Sequence, residues 1–217
     1  MLRFSLLLPV IMLMVACSII GIRSGIEQSH YEVVELLRNN LEIRRYEPRL
    51  ALETTIQGGD WKNARSQAFR RLFNYISGDN QRVSKISMTA PAKIAMGASG
   101  SGIEIAMTAP VEILPHKDRL KMRFFLPSEL DVNTVPVPRD PKVRVISVPR
   151  QTLAVLGFTG LASKSDLVTQ HDKLTKALAS THWDVQGSMT AYFYDPPWTI
   201  PFMRRNEVAV HVSDRKQ

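Results

Sequence analysis

Apolar and polar side chains alternate through Leu41-Glu42-Ile43-Arg44-Arg45-Tyr46, the two-residue period of a half-buried strand. Tyr31 to Leu37 precedes it across Asn39-Asn40, a turn pair, so the two runs are expected to form a hairpin. Leu50 to Ile56 gives another strand after Pro48 and closes at Gly58-Gly59. The period then changes. Trp61, Ala64, Ala68, Leu72, Tyr75 and Ile76 recur mostly at three- and four-residue steps and share one helical stripe. Asp60 can cap this helix and Gly78 can stop it. Phe69 and Phe73, four residues apart, widen the stripe along one side.

The next stretch carries Met-Thr-Ala-Pro twice, at Met88 to Pro91 and at Met107 to Pro110. Lys85 to Ala92 and Ile103 to Val111 flank a Gly/Ser segment from Gly97 to Gly102, which reads as a hairpin. Each proline lacks an N–H donor, so it belongs at an edge, a bulge or a strand end. Met122 to Leu126 is a strand, and a Pro-rich connection spans 135–141. There the pattern restarts. Val143 to Val148 and Leu153 to Thr159 read as strands, a helix is expected from about Ser165 to Ala179, and Ala191 to Tyr194 and Val208 to Val212 close the chain. The second helix takes Leu167, Leu174, Ala177 and Leu178 as its stripe. Pro48-Arg49 before one strand parallels Pro149-Arg150 before another. This order points to an internal duplication, two strand–helix–strand units in one antiparallel α+β domain. Division at the Pro-rich link would leave about 100 residues and a poor core in each half.

The N-terminus has a different character. Arg3 is followed by an apolar run from Leu6 to Val15, broken only by Pro9. A spanning helix needs about 20 apolar residues, so this run fits an export signal better. It ends in Met14-Val15-Ala16-Cys17, a small residue before the only cysteine, which resembles a bacterial lipobox with Cys17 as the lipid-bearing residue. An ordinary cleaved signal and an uncleaved anchor are the alternatives. Residues 1–16 are thus expected to be a signal, 17–30 a tether and 31–217 the folded domain. Ser18 follows the cysteine; in the lipoprotein sorting pattern, Asp there retains a protein at the inner membrane. The expected address is the periplasmic face of the envelope, at the outer membrane rather than the inner.

Charge adds a partner class. The formal net charge is +8. Such a balance favours anionic partners, whether lipid headgroups or carboxylate-bearing small molecules. Export argues against nucleic acid. Arg44-Arg45, Arg70-Arg71 and Arg204-Arg205 are isolated pairs, and a solvated basic surface accounts for most of the excess. With no cysteine after Cys17, thiol catalysis and Cys-based metal sites are excluded from the body. The sequence has no G-x-S-x-G, HExxH or P-loop, so it gives little support to an enzyme.

Three segments together carry a family resemblance. The paired Met-Thr-Ala-Pro units, Ile43-Arg44-Arg45-Tyr46-Glu47-Pro48, and the run from Tyr194-Asp195-Pro196-Pro197-Trp198 to Arg204-Arg205-Asn206-Glu207-Val208 resemble the SOUL haem-binding proteins over residues 31 to 212. The resemblance implies a distorted, barrel-like antiparallel sheet from two repeats, flanked by two helices. It also implies non-covalent binding of haem or another tetrapyrrole, in a shallow apolar groove beside the first helix and the loop after Tyr194.

A porphyrin presents a wide apolar face and two carboxylates, so its site needs flat apolar contacts and a few cations. Phe69 and Phe73 match family pocket positions. Arg65 and Arg70 flank them for the propionates, and Tyr194, Trp198 and Met203 are expected to close the other side. Core packing is the simpler account of the two phenylalanines on sequence alone. Alignment puts a histidine proposed as an iron ligand elsewhere in the family at Arg45, and a guanidinium cannot replace it. His171 lies near leucines of the second helix, where a boundary role is commoner than ligation. Arg204 to Glu207 reads equally as a functional cluster and as a pin for its loop. The expected function is a haem carrier or buffer of the envelope. An envelope interaction lipoprotein that has lost haem, or a haem-modifying enzyme, is the alternative.

Overall fold

Asn39 and Asn40 take positive φ of 61° and 56°, the conformation that lets a short turn reverse the chain between β1 (Tyr31–Leu37) and β2 (Leu41–Tyr46). The computed structural model describes residues 25–81, 102–116 and 118–215. The expected leader, Cys17, the first Met-Thr-Ala-Pro and the Gly/Ser segment up to 101 lie outside them. The remaining strands are β3 (Arg49–Gln57), β4 (Asn80–Gln81), β5 (Val111–His116), β6 (Arg119–Phe125), β7 (Val137–Pro138), β8 (Arg144–Val148), β9 (Gln151–Phe158), β10 (Trp183–Phe193) and β11 (Asn206–Asp214). The helices are α1 (Trp61–Ile76) and α2 (Lys164–Leu178).

Two compact units emerge. The first holds residues up to 46, 109–111 and 151 onward; the second holds 47–108 and 112–150. In the first unit the strand order is β1-β2-β9-β11-β10, and in the second β5-β6-β3-β8, with β4 and β7 as a separate pair. Each is an open sheet and not a closed barrel, whereas the antiparallel α+β class is as expected.

The order reveals the duplication. One repeat runs β2-β3-α1-β5-β6 and the other β8-β9-α2-β10-β11. The first unit orders β2-β9-β11-β10, and the second orders β8-β3-β6-β5. Each unit therefore takes its flanking strand from the other repeat. The boundaries fall at 46/47 and 150/151, beside the paired Pro-Arg steps, and not at the Pro-rich link.

In the second unit, the Asp60 carboxylate accepts from the Lys62 and Asn63 amides at 3.1 and 3.2 Å and starts α1. Ala64, Ala68, Leu72, Tyr75 and Ile76 are buried as this helix packs on β3 and β6. The small alanines let the helix approach closely. The Tyr75 hydroxyl donates to the Pro136 carbonyl at 2.6 Å, and burial pushes its pKa up to about 12. In the first unit, Ser163 and Asp166 form a reciprocal capping box at the start of α2. Leu167, Leu174 and Leu178 are buried against β9, β10 and β11. Each such leucine contributes about 1.5–3 kcal/mol by leaving water.

Two expectations need correction. Ile103 to Pro110 is not a continuous strand: Glu104 and Ala109 make isolated bridges, the Thr108 hydroxyl donates to the Phe125 carbonyl, and regular pairing starts at Val111. Pro110 has no amide to offer a ladder at that point. Conversely, β10 starts at Trp183, well before Ala191. Its register shifts between Gln186 and Thr190 around Gly187, whose φ is 76°, and that break interrupts the alternation that would reveal a strand.

Candidate functional site

A single four-residue row runs down α1 through Trp61, Arg65, Phe69 and Phe73. The Arg65 guanidinium lies 5.8 Å over the Trp61 ring. Phe69 and Phe73 are stacked, with centroids 5.8 Å apart and planes 14° from parallel. Phe69 in turn meets Phe124 of β6 edge-on at 5.2 Å. Phe124 is buried, Phe69 is half-buried and Phe73 is 45% exposed. The row therefore steps outward from the core, each ring held by the one behind it. Arg70 is exposed on the same helix. Trp61 Nε1, at the head of the row, is buried with no acceptor among the described residues. A near-parallel pair of rings beside guanidinium groups can take a flat apolar ligand that carries acidic groups.

The other expected residues belong to the first unit, around a buried carboxylate. Glu207 of β11 accepts two parallel hydrogen bonds from Arg44, at 2.9 and 3.1 Å. Arg205 donates to it at 2.7 Å and the Tyr194 hydroxyl at 2.7 Å. The Arg205 guanidinium covers the Tyr194 ring at 4.0 Å, and the Arg44 guanidinium covers Tyr31 at 4.3 Å. Burial pushes the Glu207 pKa upward, but Arg44 and Arg205 outweigh it and hold the carboxyl below its ordinary range. Burial and the Glu207 charge push the Tyr194 hydroxyl up, so it stays protonated and acts as a donor.

This cluster is a pin. The Arg205 amide donates to Asp195, Arg204 donates to the Thr199 and Pro197 carbonyls, and the Asn206 side chain donates to the Gly160 carbonyl. The loop from Asp195 to Arg205 is thus fastened to β11 at several points. Tyr194 is a buried part of the fastening. Met203 is half-buried in a short 3-10 turn (Pro201–Met203), and Trp198 is 65% exposed. Arg45 is on the surface and pairs with Glu32 at 3.1 Å. His171 is half-buried, with Nδ1 3.9 Å from Asp172. Among the described residues no group of three or more His, Cys, Asp or Glu gathers to hold a metal ion. Sequence reasoning missed Arg44 as the main partner of Glu207. Consecutive burial of Ile43 and Arg44 hides it from an alternation rule.

The model of the SOUL heme-binding protein family matches residues 26–211. The chain belongs to that family. Relatives include heme-binding protein 1 of Xenopus tropicalis, 28% identical over 170 residues, which cover 77% of this chain and 80% of that protein. Heme-binding protein 1 of Sus scrofa is 30% identical over 148 residues, covering 65% and 68%. Human heme-binding protein 2 is 30% identical over 122 residues, covering 56% and 53%. Among solved structures, a cryo-EM structure of an EcmrR–DNA complex matches with a TM-score of 0.55 at 10% identity, over 80% of this chain and 57% of that one. That likeness shows the fold alone. In this SOUL chain the position where a histidine was sought is Arg45, held in an exposed ion pair with Glu32, and a guanidinium offers no lone pair to a metal.

Proposed function

We propose that this SOUL protein binds haem or a related tetrapyrrole non-covalently, as a carrier or buffer at the cell envelope. The observation that carries this reading is the Phe69–Phe73 pair, parallel to within 14°, backed by Phe124 and open to solvent at Phe73. The macrocycle would cover the outer ring, and Arg65 and Arg70 would serve its propionates. Haem supplies a flat hydrophobic iron macrocycle; α1 supplies orientation and water exclusion. Trp198 and Met203, expected from the sequence as further contacts, belong to the first unit, and each is tested by its own alanine variant. Membership of a family whose relatives are heme-binding proteins supports the ligand class.

The test is titration of haemin into the chain starting at Ser18. All described elements lie after that residue, so this chain keeps them. The expected result is a Soret shift saturating at micromolar haemin; none would sink the proposal. Alanine at both Phe69 and Phe73 should weaken binding while the circular dichroism stays native.

Export by the leader and lipid attachment at Cys17 complete the proposal. They rest on the apolar run and the Ala16-Cys17 step. Among the described residues no helix is long and apolar enough to cross a membrane. Labelling with radioactive palmitate should mark the full chain and be lost in Cys17→Ala; an unlabelled full chain would refute lipidation.

A further inference from the structure

The loop from Pro196 to Met203 exposes side chains that a folded chain usually hides. Trp198 is 65% exposed and Phe202 72%. Leu161, next to Gly160, is 65% exposed, and the Gly160 amide donates to the Pro201 carbonyl at 2.9 Å, which ties the two segments together. The loop is also braced. Thr199 donates to Pro196, Met203 to Ile200 and Arg204 to Pro201 through backbone bonds of 2.9 to 3.1 Å, and the Arg204 side chain holds two carbonyls within it. Prolines 196, 197 and 201 limit its freedom further. A rigid tip carrying three large apolar groups in water suggests a surface shaped for a partner.

Two observations favour a lipid bilayer. Cations adjoin the tip: Lys164 is exposed three residues after Leu161, and Arg204, which no carboxylate neutralises among the described residues, follows Met203. The acids nearby are engaged, Asp195 with the Arg205 amide and Asp166 in the α2 cap. The second observation is where the tether joins. Gln28 accepts from Arg205 at 3.4 Å, and Glu27 and Ser29 bond to Ala109, so the chain enters this unit beside the stem of the same loop. Ten residues lie between Cys17 and Gln28, eleven steps of the chain. Fully extended, they span at most about 40 Å. A membrane attachment at Cys17 thus keeps the tip within reach of the bilayer.

We propose that the tip formed by Leu161, Trp198 and Phe202 docks on an anionic bilayer, with the aromatic rings at headgroup level and Lys164 and Arg204 supplying attraction to phosphates. The tether's part in this rests on the leader being a membrane attachment, as proposed above. The docking surface itself needs no lipid on the protein.

The experiment therefore uses the unlipidated chain starting at Ser18, with vesicles of phosphatidylcholine and phosphatidylglycerol at 3:1 and low salt. Co-sedimentation should detect binding, and bromine-labelled lipid should quench tryptophan emission. W198A combined with F202A should lower vesicle partitioning at least ten-fold, and W198A alone several-fold. Both side chains are exposed, so the double variant is expected to keep its circular dichroism; if it does not, W198S decides. Val132→Ala, at an exposed apolar residue of the second unit, should leave partitioning unchanged. Absence of vesicle binding by the parent chain, or equal binding by the double variant, overturns the proposal. A variant that binds vesicles normally but loses haemin would assign the loop to haem instead. A parent chain that self-associates through these residues without binding vesicles would make a second copy the occupant. Palmitate labelling at Cys17 succeeds or fails independently of all these outcomes.

Discussion

The duplication makes α1 and α2 natural controls for one another. Both start at a side-chain cap, Asp60 and Ser163, and both bury their inner stripe on three or fewer strands of their own unit. Counted from those caps, Phe69 and Phe73 of α1 correspond to Asp172 and Lys176 of α2. One helix carries a stacked aromatic pair where the other carries exposed charges. The fold therefore does not require aromatic rings at these places. Leaving Phe73 nearly half in water is a feature of the second unit's helix, and it is what supports the proposal that this face binds the ligand. The first unit differs in the opposite sense: its helix is plain, but its long loop is fastened to a buried carboxylate.

The carboxylates give the largest test of this difference. Glu207→Ala should cost about 3–5 kcal/mol: Arg44 keeps Glu42 at 2.7 Å, but both of its buried Nη groups, the Arg205 guanidinium and the buried Tyr194 hydroxyl lose Glu207 as acceptor. Glu53 in β3 is also buried and accepts from Arg123 and Arg144 at 2.8 and 2.6 Å. Arg144 is 66% exposed, and Arg123 keeps Glu112 at 3.0 Å. Glu53→Ala should therefore cost less, about 1.5–3 kcal/mol. Urea unfolding measures both; equal losses would remove the contrast between a pinned and a plain unit.

Acid should act in the same direction. Both carboxyls sit below their ordinary 4.5, since Arg44 and Arg205 outweigh burial at Glu207, and Arg123, Arg144 and Lys121 do so at Glu53. Their stabilisation is present in full above the unfolded value and is lost as pH falls through the lower folded value. Urea midpoints should be flat from pH 7 to about 5 and fall below about 4.5, with a shallower fall in Glu207→Gln. A midpoint that rises on acidification would contradict the assignment.

Smaller effects sharpen the helix comparison. F69A with F73A should weaken haemin binding about ten-fold, near 1.4 kcal/mol. Asp172→Ala and Lys176→Ala, the matched changes on α2, should leave haemin affinity unchanged and stability within about 0.5 kcal/mol. A loss of haemin binding from the α2 changes would undo the argument from duplication.

Much of this organisation was legible in the residues. Asp60, Gly78 and the three- and four-residue steps located α1, and the paired Pro-Arg steps mark equivalent points of the two repeats, beside the unit boundaries at 46/47 and 150/151. The exchange of β2 and β8 between units was not legible, because local periodicity fixes a strand and its faces but not its neighbour. The start of β10 was masked by the break at Gly187. At the site, the four-residue spacing of Phe69 and Phe73 was visible, whereas Phe73's exposure depends on what β6 presents beneath Phe69. Arg44 was hidden because its partner, Glu207, lies 163 residues away.

The most direct test of the central claim exchanges one residue between the helices. Phe73→Lys gives α1 the residue that α2 carries at Lys176, so the fold should tolerate it. With haemin titrated into the parent chain and into this variant, followed at the Soret band, the parent should saturate at micromolar haemin. The variant should bind at least ten-fold more weakly while unfolding at nearly the same urea concentration. Equal Soret titrations for the two would contradict the assignment of the α1 face to the tetrapyrrole.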